Sequence, residues 1–414
     1  MQELGLALSG GGSRAIAFHR GTVRALNELG LVEALDVVST VSGGSVFGAA
    51  WMCALAAGEN TVTFLDRLQP VLTRGFIWPA LLSLRALQIF LPHRNRTHRL
   101  AETFDELLTG GHPLAYLPVR PQLCLNATVL NHGAVGRFSR NGFSCQSVGT
   151  RLEGGSYPEN PVPVTVGFAA AASAAFPFGL PPLTLPARYL EAFEDPIRDH
   201  HQLVLTDGGV LENLGVQLLL RSRRFGTRNI IVSDAGTAEV AWRPTVWGRA
   251  KSFGAFALSA DTLSQLLAVM NDKQNKSMRE IVMHEVGSLD PPEADRSLWF
   301  VRIDQTWNRF LQGIPLHQRR LIAGGKDMTP PVSAGAEEVS KFLGKHGVEL
   351  SQISQRYRAM GGDDAVARAN AIRTQFTGLH ADTLALLERH AAWQVHACHA
   401  VYGGFEHIAA KPKA

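Results

Sequence analysis

Two short apolar runs near the start of the chain each end at a cluster of glycines. The first, Leu4–Ser9, stops at Gly10–Gly12, and a helical pattern follows from Ser13 to about Leu29. Ser13 can cap that helix, since a serine hydroxyl accepts hydrogen bonds from amides of the first turn. The pattern therefore predicts a strand, a glycine-rich turn and a helix.

The second run, Asp36–Val41, is rich in β-branched residues and leads into Ser42-Gly43-Gly44. Few helix-breaking residues interrupt the stretch from Ser45 to Ala57, which predicts a second helix. Two strand–helix units in succession predict parallel strands joined by a right-handed crossover. Both glycine turns then lie at the carboxyl edge of one sheet, where α/β proteins bind their ligands.

Further elements are predicted along the rest of the chain. Apolar runs indicate strands at Gln122–Ala127, Leu203–Thr206, Asn229–Ser233 and Leu298–Ile303. Helical patterns cover Val166–Ala175 and Leu211–Arg221, and after about Trp247 the spacing of the apolar residues is mainly helical. We expect an α/β fold in which a three-layer core with a central, largely parallel sheet occupies residues 1–245. A mostly helical C-terminal region follows over residues 246–414.

Composition narrows the class of protein. Hydrophobic residues make up 45% of the 414 residues and charged residues 18%, as in a folded globular protein. The four cysteines show no CxxC spacing, so we interpret them as reduced and structural, and we expect no metal and no organic cofactor. The net charge of +4 is too small to indicate nucleic acid, although it is compatible with weak attraction to an anionic lipid surface.

No segment of the sequence predicts transport into or across a membrane. The N terminus lacks a basic segment followed by an apolar one, so a cytoplasmic location is expected. This expectation includes peripheral association with a membrane. The apolar stretch Gly75–Leu84 is interrupted by Pro79 and is too short to span a bilayer. Phe76–Leu91, with the basic cluster over residues 93–99, predicts either an interfacial lid or a helix that covers the core.

The first glycine turn presents backbone amides near the start of a helix, an arrangement that binds negative charge. Gly10-x-Gly12-x-x-Ala15 fits a loose dinucleotide-binding pattern, and the same turn could form an oxyanion hole. A dinucleotide site needs an acidic residue at the end of the second strand, whereas Ser42 stands there. A P-loop is excluded, because no Gly-Lys-Ser/Thr follows the glycines.

Ser42 has the position of a nucleophile on a strand-to-helix turn. The glycines that follow it permit the strained backbone that exposes a serine hydroxyl, and the next helix directs its positive end at that hydroxyl. The alternative is that Ser42 only caps the helix. Its pairing with the first glycine turn, at the same edge of the sheet, favours the nucleophile.

Asp207 is the candidate base. It ends the run Leu203–Thr206 and is followed by Gly208-Gly209. If this strand belongs to the same parallel sheet, Asp207 lies at the carboxyl edge, where ligands bind. Asp234 follows the next strand and is a rival by the same argument, although no pair of glycines comes after it.

In this order, the Ser9–Ala15 string, the Ser42-Gly43-Gly44 turn and Asp207-Gly208-Gly209 resemble the three signatures of the patatin-like phospholipase family. The resemblance covers roughly residues 4–236 and includes Ala174–Pro177, and the opening string is also similar to that of cytosolic phospholipases. It implies a serine hydrolase of acyl lipids that uses a Ser-Asp dyad and an acyl-enzyme intermediate. The substrate would be presented at a membrane or micelle surface.

The resemblance also implies a role for individual residues. Ser42 and Asp207 would form the dyad, and the amides of Gly10, Gly11 and Gly12 would form the oxyanion hole. Arg14 would contact a substrate phosphate, or it would brace the loop through an ion pair. The sequence departs from the family pattern at Thr40 and Ala15, both of which stand where the family usually has glycine.

Three other hypotheses about the function remain. An α/β-hydrolase with a Ser-His-Asp triad has several strands before its nucleophile turn, whereas here a single strand precedes the Ser42 strand. A nucleotide-binding protein is disfavoured by Ser42 itself. A catalytically weak or inactive lipid-binding or scaffolding protein on the same fold is the third. The histidines His19, His390, His396 and His399 need no catalytic role in the dyad reading, and the sequence carries no indication of oligomeric state.

Overall fold

The computed structural model describes residues 2–82, 94–145, 150–151, 164–177, 179–186, 202–221, 226–236, 273–274, 276–282, 298–317, 321–323, 326–328 and 335–403. The predicted boundary near residue 245 lies outside these ranges, and the division into two regions stays a prediction.

Helices occur along the whole described chain. They are α1 (Gly12–Glu28), α2 (Gly43–Ala56), α3 (Thr61–Arg74), α4 (Ile77–Leu82), α5 (Arg96–Phe104), α6 (Val166–Ser173), α7 (Gln217–Arg221), α8 (Trp307–His317), α9 (Ala336–Lys345), α10 (Ser351–Met360), α11 (Gly362–Asn370) and α12 (Ala381–Tyr402). The last four follow one another closely, so the described C-terminal part is mostly helical, as the sequence predicts.

Strands occur mainly in the first half. They are β1 (Gln2–Leu8), β2 (Val37–Val41), β3 (Gln122–Val129), β4 (Ala134–Ser139), β5 (Gly142–Cys145), β6 (Thr150–Arg151), β7 (Leu183–Pro186), β8 (Gln202–Asp207), β9 (Thr227–Asp234), β10 (Leu298–Arg302), β11 (Leu321–Ala323) and β12 (Lys326–Met328).

Five strands form the parallel centre of the main sheet in the order β10-β9-β1-β2-β3. β4, β5 and β6 extend the sheet beyond β3 as an antiparallel edge, which the sequence pattern does not predict. The predicted α/β class with a central, mostly parallel sheet is confirmed.

The direction of β8 was predicted wrongly. β8 pairs antiparallel with β3, not parallel to it. β4 pairs with residues 125–129 of β3 and so occupies one edge of that strand. β2 pairs with residues 122–126 of β3 and β8 with residues 127–129, so these two strands share the opposite edge. β2 and β8 therefore run toward each other along one edge of β3 and meet where both end.

The side chains of the sheet alternate between two apolar layers, because successive residues of a strand point to opposite faces. Leu4, Leu6 and Leu8 of β1 belong to the larger buried cluster, which includes apolar residues of α1, α2, α6 and α12. Ala7 belongs to a second cluster with Leu218 of α7. Helices thus cover both faces of the sheet, which is the expected three-layer arrangement.

The long helix α12 packs directly against α1. The Phe18 ring of α1 lies 5.8 Å from the His390 ring of α12, and Leu387 and Ala391 are fully buried in the cluster that contains Phe18. Burial of this apolar surface stabilises the docking of C-terminal helices on the helix that follows the glycine turn.

The helix predicted at Leu211–Arg221 begins later, at Gln217. The buried carboxylate of Glu212 accepts hydrogen bonds from the amides of Leu214 (2.7 Å) and Gly215 (2.8 Å), and Gly215 has a φ of +73°. Such a side-chain turn competes with helix formation, so the helix starts only after it.

The predicted lid or covering helix, Phe76–Leu91, is described only as far as Leu82. Within that part, the side chain of Phe76 is fully buried and lies edge to face with Phe104, at 5.4 Å between ring centroids. Its described start thus packs into the core, while residues 83–91 lie outside the described residues.

Candidate active site

Ser42 lies on a strained turn between β2 and α2. Its φ is +50°, and among the described residues other than glycine it alone has a positive φ. Both following glycines are required by close approaches: a Cβ on Gly43 would lie 2.4 Å from the Gly12 carbonyl oxygen, and one on Gly44 would lie 2.3 Å from that of Leu8. The predicted strained turn is therefore present, and no larger residue fits after the serine.

Thr40, where the family pattern has glycine, is accommodated by a glycine on the next helix. A Cβ on Gly48 would lie 2.8 Å from the Thr40 Cγ2 methyl. The Thr40 hydroxyl also donates to the Cys124 carbonyl (3.1 Å) and lies 2.9 Å from the Ser45 hydroxyl. The departure at Thr40 thus leaves the turn intact, because the methyl group occupies the space that Gly48 leaves.

The structure brings Ser42 and Asp207 together. Ser42 Oγ donates to Asp207 Oδ2 over 2.7 Å, and Asp207 Oδ1 accepts the Gly209 amide over 2.7 Å. Both residues are buried, at 6% and 3% exposure. They meet because Ser42 follows the last residue of β2 and Asp207 ends β8, where the two strands converge along β3.

Burial raises the pKa of the Asp207 carboxyl to about 6, and the hydrogen bonds from Ser42 and Gly209 oppose that rise. A carboxylate with a pKa near neutrality is a better proton acceptor than one with an ordinary pKa, yet it is still largely ionised at pH 7. The amino ends of α1 and α2 both lie at this site, so their dipoles favour negative charge there.

A buried chain of hydroxyls supports the Ser42 turn from behind. The Ser42 amide donates to Ser173 Oγ over 3.0 Å, and Ser173 Oγ donates to the Asn126 carbonyl. Ser173 has a single hydroxyl proton, which it donates to the Asn126 carbonyl. Ser45 Oγ, 2.7 Å from Ser173 Oγ, must therefore be the donor in the contact between the two serines. Sequence reasoning missed Ser173, which carries no local signal within a helix of small residues.

The three glycines of the first turn differ in what their amides do. The Gly10 amide donates to the Asn213 carbonyl over 3.1 Å, so it is already used within the protein. The amides of Gly11 and Gly12 have no acceptor among the described residues, and both residues have positive φ values, +144° and +60°. Gly10 is therefore removed from the predicted oxyanion donors, and Gly11 and Gly12 remain.

Gly10 instead permits close packing at the site. A Cβ on Gly10 would lie 3.1 Å from Ser42 Cβ and 2.2 Å from Asn213 Oδ1. The Asn213 side chain fills the space between this turn and Gly209, whose added Cβ would lie 2.7 Å from the same oxygen. Asn213 was not predicted, and the later start of α7 is what brings it here.

Arg14 is buried at 2% exposure and donates from Nη1 to the Ile372 carbonyl. Burial lowers its pKa to about 10, and Asp234 opposes that shift. These contacts favour the bracing role over contact with a substrate phosphate.

The segment that receives Arg14 also holds the start of α1. The Ser13 amide donates to the Gln375 carbonyl over 2.7 Å, and Ser13 Oγ donates to the Thr377 carbonyl over 2.9 Å. A Cβ on Gly12 would lie 2.4 Å from the Gln375 oxygen. We call residues 372–377 the C-terminal strap, because it lies across the glycine turn and fixes it.

Asp234, the rival base, is fully buried in an ion pair. Arg279 donates to its Oδ2 from Nε (2.7 Å) and from Nη2, and the Gly236 amide donates to its Oδ1 over 2.8 Å. These partners occupy the carboxylate, and no contact joins it to Ser42. The structure thus places Asp207, not Asp234, beside the candidate nucleophile.

The buried histidines are engaged elsewhere. His19 lies 2.8 Å from the Ser9 carbonyl through Nε2 and 2.8 Å from Ser233 Oγ through Nδ1, and His390 Nε2 lies 2.8 Å from the Ile303 carbonyl. Burial lowers both pKa values to about 4, so these imidazoles are neutral at pH 7. Within the described part of the chain, no imidazole bonds to Ser42 or Asp207.

The arrangement can perform nucleophilic acyl transfer. It offers a strained serine hydroxyl, a buried carboxylate that accepts its proton, and backbone amides for a developing oxyanion. Among the described residues, no group of histidine, cysteine and acidic side chains is placed to bind a metal ion. None of the helices described is long and apolar enough to cross a membrane.

Part of the chain matches the sequence profile of a known family. Residues 6–220, just over half of the chain, match the sequence profile described as patatin-like phospholipase. No curated protein sequence matches the chain significantly.

The chain also resembles solved structures. Human GIVD cytosolic phospholipase A2 gives a TM-score of 0.51 at 14% identity, over 99% of this chain and 62% of that one. The same human protein in complex with a methyl gamma-linolenyl fluorophosphonate inhibitor and terbium chloride gives 0.46 at 15% identity, over 98% and 59%. VipD from Legionella pneumophila gives 0.33 at 14% identity, over 84% and 67%. The chain thus spans less than two thirds of the human protein, and the likeness concerns the fold alone.

Proposed function

The chain belongs to the patatin-like phospholipase family, and from this premise we propose that it is a serine hydrolase that cleaves acyl ester bonds of phospholipids or related lipids through Ser42 and Asp207. The family supports a lipid acyl hydrolase in general. The observation that carries the finer proposal is the 2.7 Å hydrogen bond from Ser42 Oγ to Asp207 Oδ2.

In the first half of the proposed reaction, Asp207 Oδ2 accepts the Ser42 proton while Oγ attacks the acyl carbonyl carbon. The carbonyl oxygen gains the negative charge, and the amides of Gly11 and Gly12 stabilise it. The tetrahedral intermediate then expels the alcohol of the lipid, which takes the proton from Asp207. The acyl group remains as an ester on Ser42.

In the second half, a water molecule takes the place of the alcohol. Asp207 accepts a proton from the water as its oxygen attacks the acyl-enzyme carbonyl. Collapse of the second tetrahedral intermediate breaks the bond to Ser42 Oγ, which regains its proton from Asp207. The products are a fatty acid and the deacylated lipid, and this sequence uses no bound cofactor.

We further propose that the protein acts as a peripheral protein at a lipid surface. Its substrates are amphiphiles that assemble into membranes or micelles, and its net charge of +4 favours weak attraction to anionic lipids.

Covalent labelling with a fluorophosphonate tests the dyad. Wild-type protein should be modified at Ser42, and Ser42→Ala should be neither labelled nor active on a short-chain ester. Asp207→Asn keeps the shape of the site and removes the proton acceptor, so turnover should fall by at least about 10³-fold, in the range that loss of a catalytic base produces.

Asp234→Asn and His19→Ala are the controls, because each residue is buried but bonded away from Ser42. A folded His19→Ala variant as inactive as Asp207→Asn would favour a triad. Wild-type protein that binds vesicles but takes no label would favour the inactive lipid-binding alternative.

A further inference from the structure

A cavity of about 340 Å³ borders the loop that carries Asp207. Thr206, which precedes Asp207, lines the cavity, and so does Val210, at the end of the short turn after Asp207. Pro177 and residues 180–182 form another part of the wall. The cavity therefore lies within one residue of the candidate base along β8.

The lining is apolar except at two positions. Of the eight lining residues that the structure describes, six are leucine, valine or proline, and the others are Thr206 and Arg96. The Thr206 hydroxyl donates to the Ala175 carbonyl over 2.8 Å, so its single proton is already used within the protein. Among the described lining residues, Arg96 is therefore the one charged group of an apolar cavity of ordinary ligand size.

The backbone around Arg96 is fastened to the cavity wall on both sides. Asn95 Nδ2 donates to the Pro182 carbonyl over 2.9 Å, and Thr97 Oγ1 donates to the Pro181 carbonyl. Asn95 also caps α5, since its side-chain oxygen accepts the Thr97 amide over 2.9 Å. Arg96 is thereby held at the edge of the cavity.

Arg96 is exposed, and within the described part of the chain it forms no ion pair or hydrogen bond. Its neighbours differ: Arg94 pairs with Glu102, and Arg99 with Glu102 and Glu106. Arg96 also occupies the first position of α5, where the helix dipole opposes a positive charge. Helix stability therefore gives no reason for an arginine here, whereas an anionic ligand would.

We propose that the cavity binds an acyl chain of a glycerophospholipid and that Arg96 binds the phosphate of the same molecule. This proposal rests on the proposed function, and it names phospholipids rather than neutral glycerides as the preferred substrates. A guanidinium suits a phosphodiester, because it can donate two parallel hydrogen bonds to the phosphate oxygens. Arg14 cannot play this part while it is buried against Ile372.

The test compares phosphatidylcholine with a diacylglycerol that carries the same acyl chains, both in mixed micelles. In Arg96→Gln, the ratio of kcat/KM for phosphatidylcholine to that for diacylglycerol should fall by about 10- to 100-fold, the range expected for a lost charged hydrogen bond. Arg96→Lys keeps the charge but loses the paired donors, so its ratio should be intermediate. Arg358→Gln, at an exposed arginine of α10, should leave the ratio unchanged.

A wild-type ratio in Arg96→Gln would overturn the phosphate assignment, although Ser42 would still take the fluorophosphonate label. Wild-type protein that takes no label and cleaves neither lipid would instead overturn the proposed function. The two failures are therefore distinguishable.

Chain length tests the apolar part. Leu180→Trp and Pro182→Trp narrow the cavity, and Pro182→Trp keeps the backbone carbonyl that Asn95 contacts. Each should lower kcat/KM for dipalmitoyl phosphatidylcholine more than for dihexanoyl phosphatidylcholine, with thermal unfolding measured on both variants. An equal loss for both chain lengths in a folded variant would show that the acyl chain binds elsewhere.

Discussion

Asp207 combines two demands that oppose each other. To accept a proton it must be ionised, yet it is 3% exposed and no cationic side chain in the described part of the chain pairs with it. Ionisation of a buried carboxyl costs free energy, and here that cost is visible as a pKa raised from 3.8 to about 6. The candidate base therefore destabilises the folded protein in the protonation state in which it would function.

This cost predicts how stability depends on pH. Between about pH 4 and pH 6 the folded protein retains a proton on Asp207 that the unfolded chain has released. The free energy of unfolding should fall as the pH rises through this window, by about 3 kcal/mol in total for a pKa difference of about two. Asp207→Asn removes the charge, so it should be more stable than wild type by about this amount at pH 7.5 and by little at pH 4.

Urea unfolding of both proteins at pH 4 and pH 7.5 measures this difference. Asp234→Asn is the contrasting variant, because it removes the buried carboxylate that pairs with Arg279 and should lower the free energy of unfolding by about 3–5 kcal/mol at pH 7.5. A stability difference between wild type and Asp207→Asn that does not change with pH would contradict the account of Asp207.

The same pKa predicts an activity profile. Hydrolysis of a soluble short-chain ester should increase about tenfold per pH unit below about pH 6 and level off above it, because the ionised carboxylate is the acceptor. Initial rates between pH 4.5 and 8 measure the profile. A midpoint near 4 would mean that the titrating carboxyl is not a buried one.

At the scale of elements, the packing of α2 against β2 depends on the Thr40 side chain and on the lack of a side chain at Gly48. The Thr40 methyl lies where a side chain at Gly48 would need to be. Gly48→Ala should therefore lower the free energy of unfolding by about 1–3 kcal/mol through overpacking. In a Thr40→Ser background, which keeps the hydroxyl and removes the methyl, the same change should cost much less, and a double-mutant cycle measures the coupling. Additive effects would show that the two positions are independent.

The local parts of the site could be predicted from the sequence. β1, β2 and the turns after them follow from apolar runs that stop at glycines, and such signals lie within a few residues of the structure they specify. The direction of β8 is different. It depends on the length of β3, whose edge extends three residues beyond its pairing with β2, and nothing near Asp207 in the sequence encodes that.

At two positions the contacts depend on residues far away in the sequence. Gly10 lies in a glycine turn that suits amide donation, but its amide is taken by Asn213. For Arg14 the resemblance leaves phosphate contact and bracing open, and its hydrogen bond to the Ile372 carbonyl favours bracing. In both cases the deciding partner is hundreds of residues away, and a pattern read along the chain does not show it.

At the scale of the whole molecule, the C-terminal strap links the last helices to the glycine turn. Phe376 anchors it: its ring lies 6.0 Å from that of Phe104 and 6.4 Å from that of Phe76, and its carbonyl accepts the Phe76 amide over 3.0 Å. Residues far beyond the segment that matches the family thus fix the position of the candidate oxyanion donors.

Phe376→Ala should reduce both stability and turnover. Loss of a buried phenylalanine should lower the free energy of unfolding by about 3–5 kcal/mol. Phe310→Ala is the matched control, because Phe310 is also buried but packs against Trp393, away from the strap. Kcat per folded molecule should fall in Phe376→Ala alone, and equal values in both variants would show that the strap does not position the turn.

The contact between the strap and the glycine turn also determines when the site can be completed during synthesis. Ser13 and Thr377 are separated by 364 positions, and at the usual pace of synthesis roughly 20–70 s pass between the emergence of the two ends of this contact. During most of that interval the nascent chain contains Ser42 but not the strap that fixes the amides of Gly11 and Gly12. The glycine turn is therefore fixed in the described geometry only after residue 377 has been synthesised.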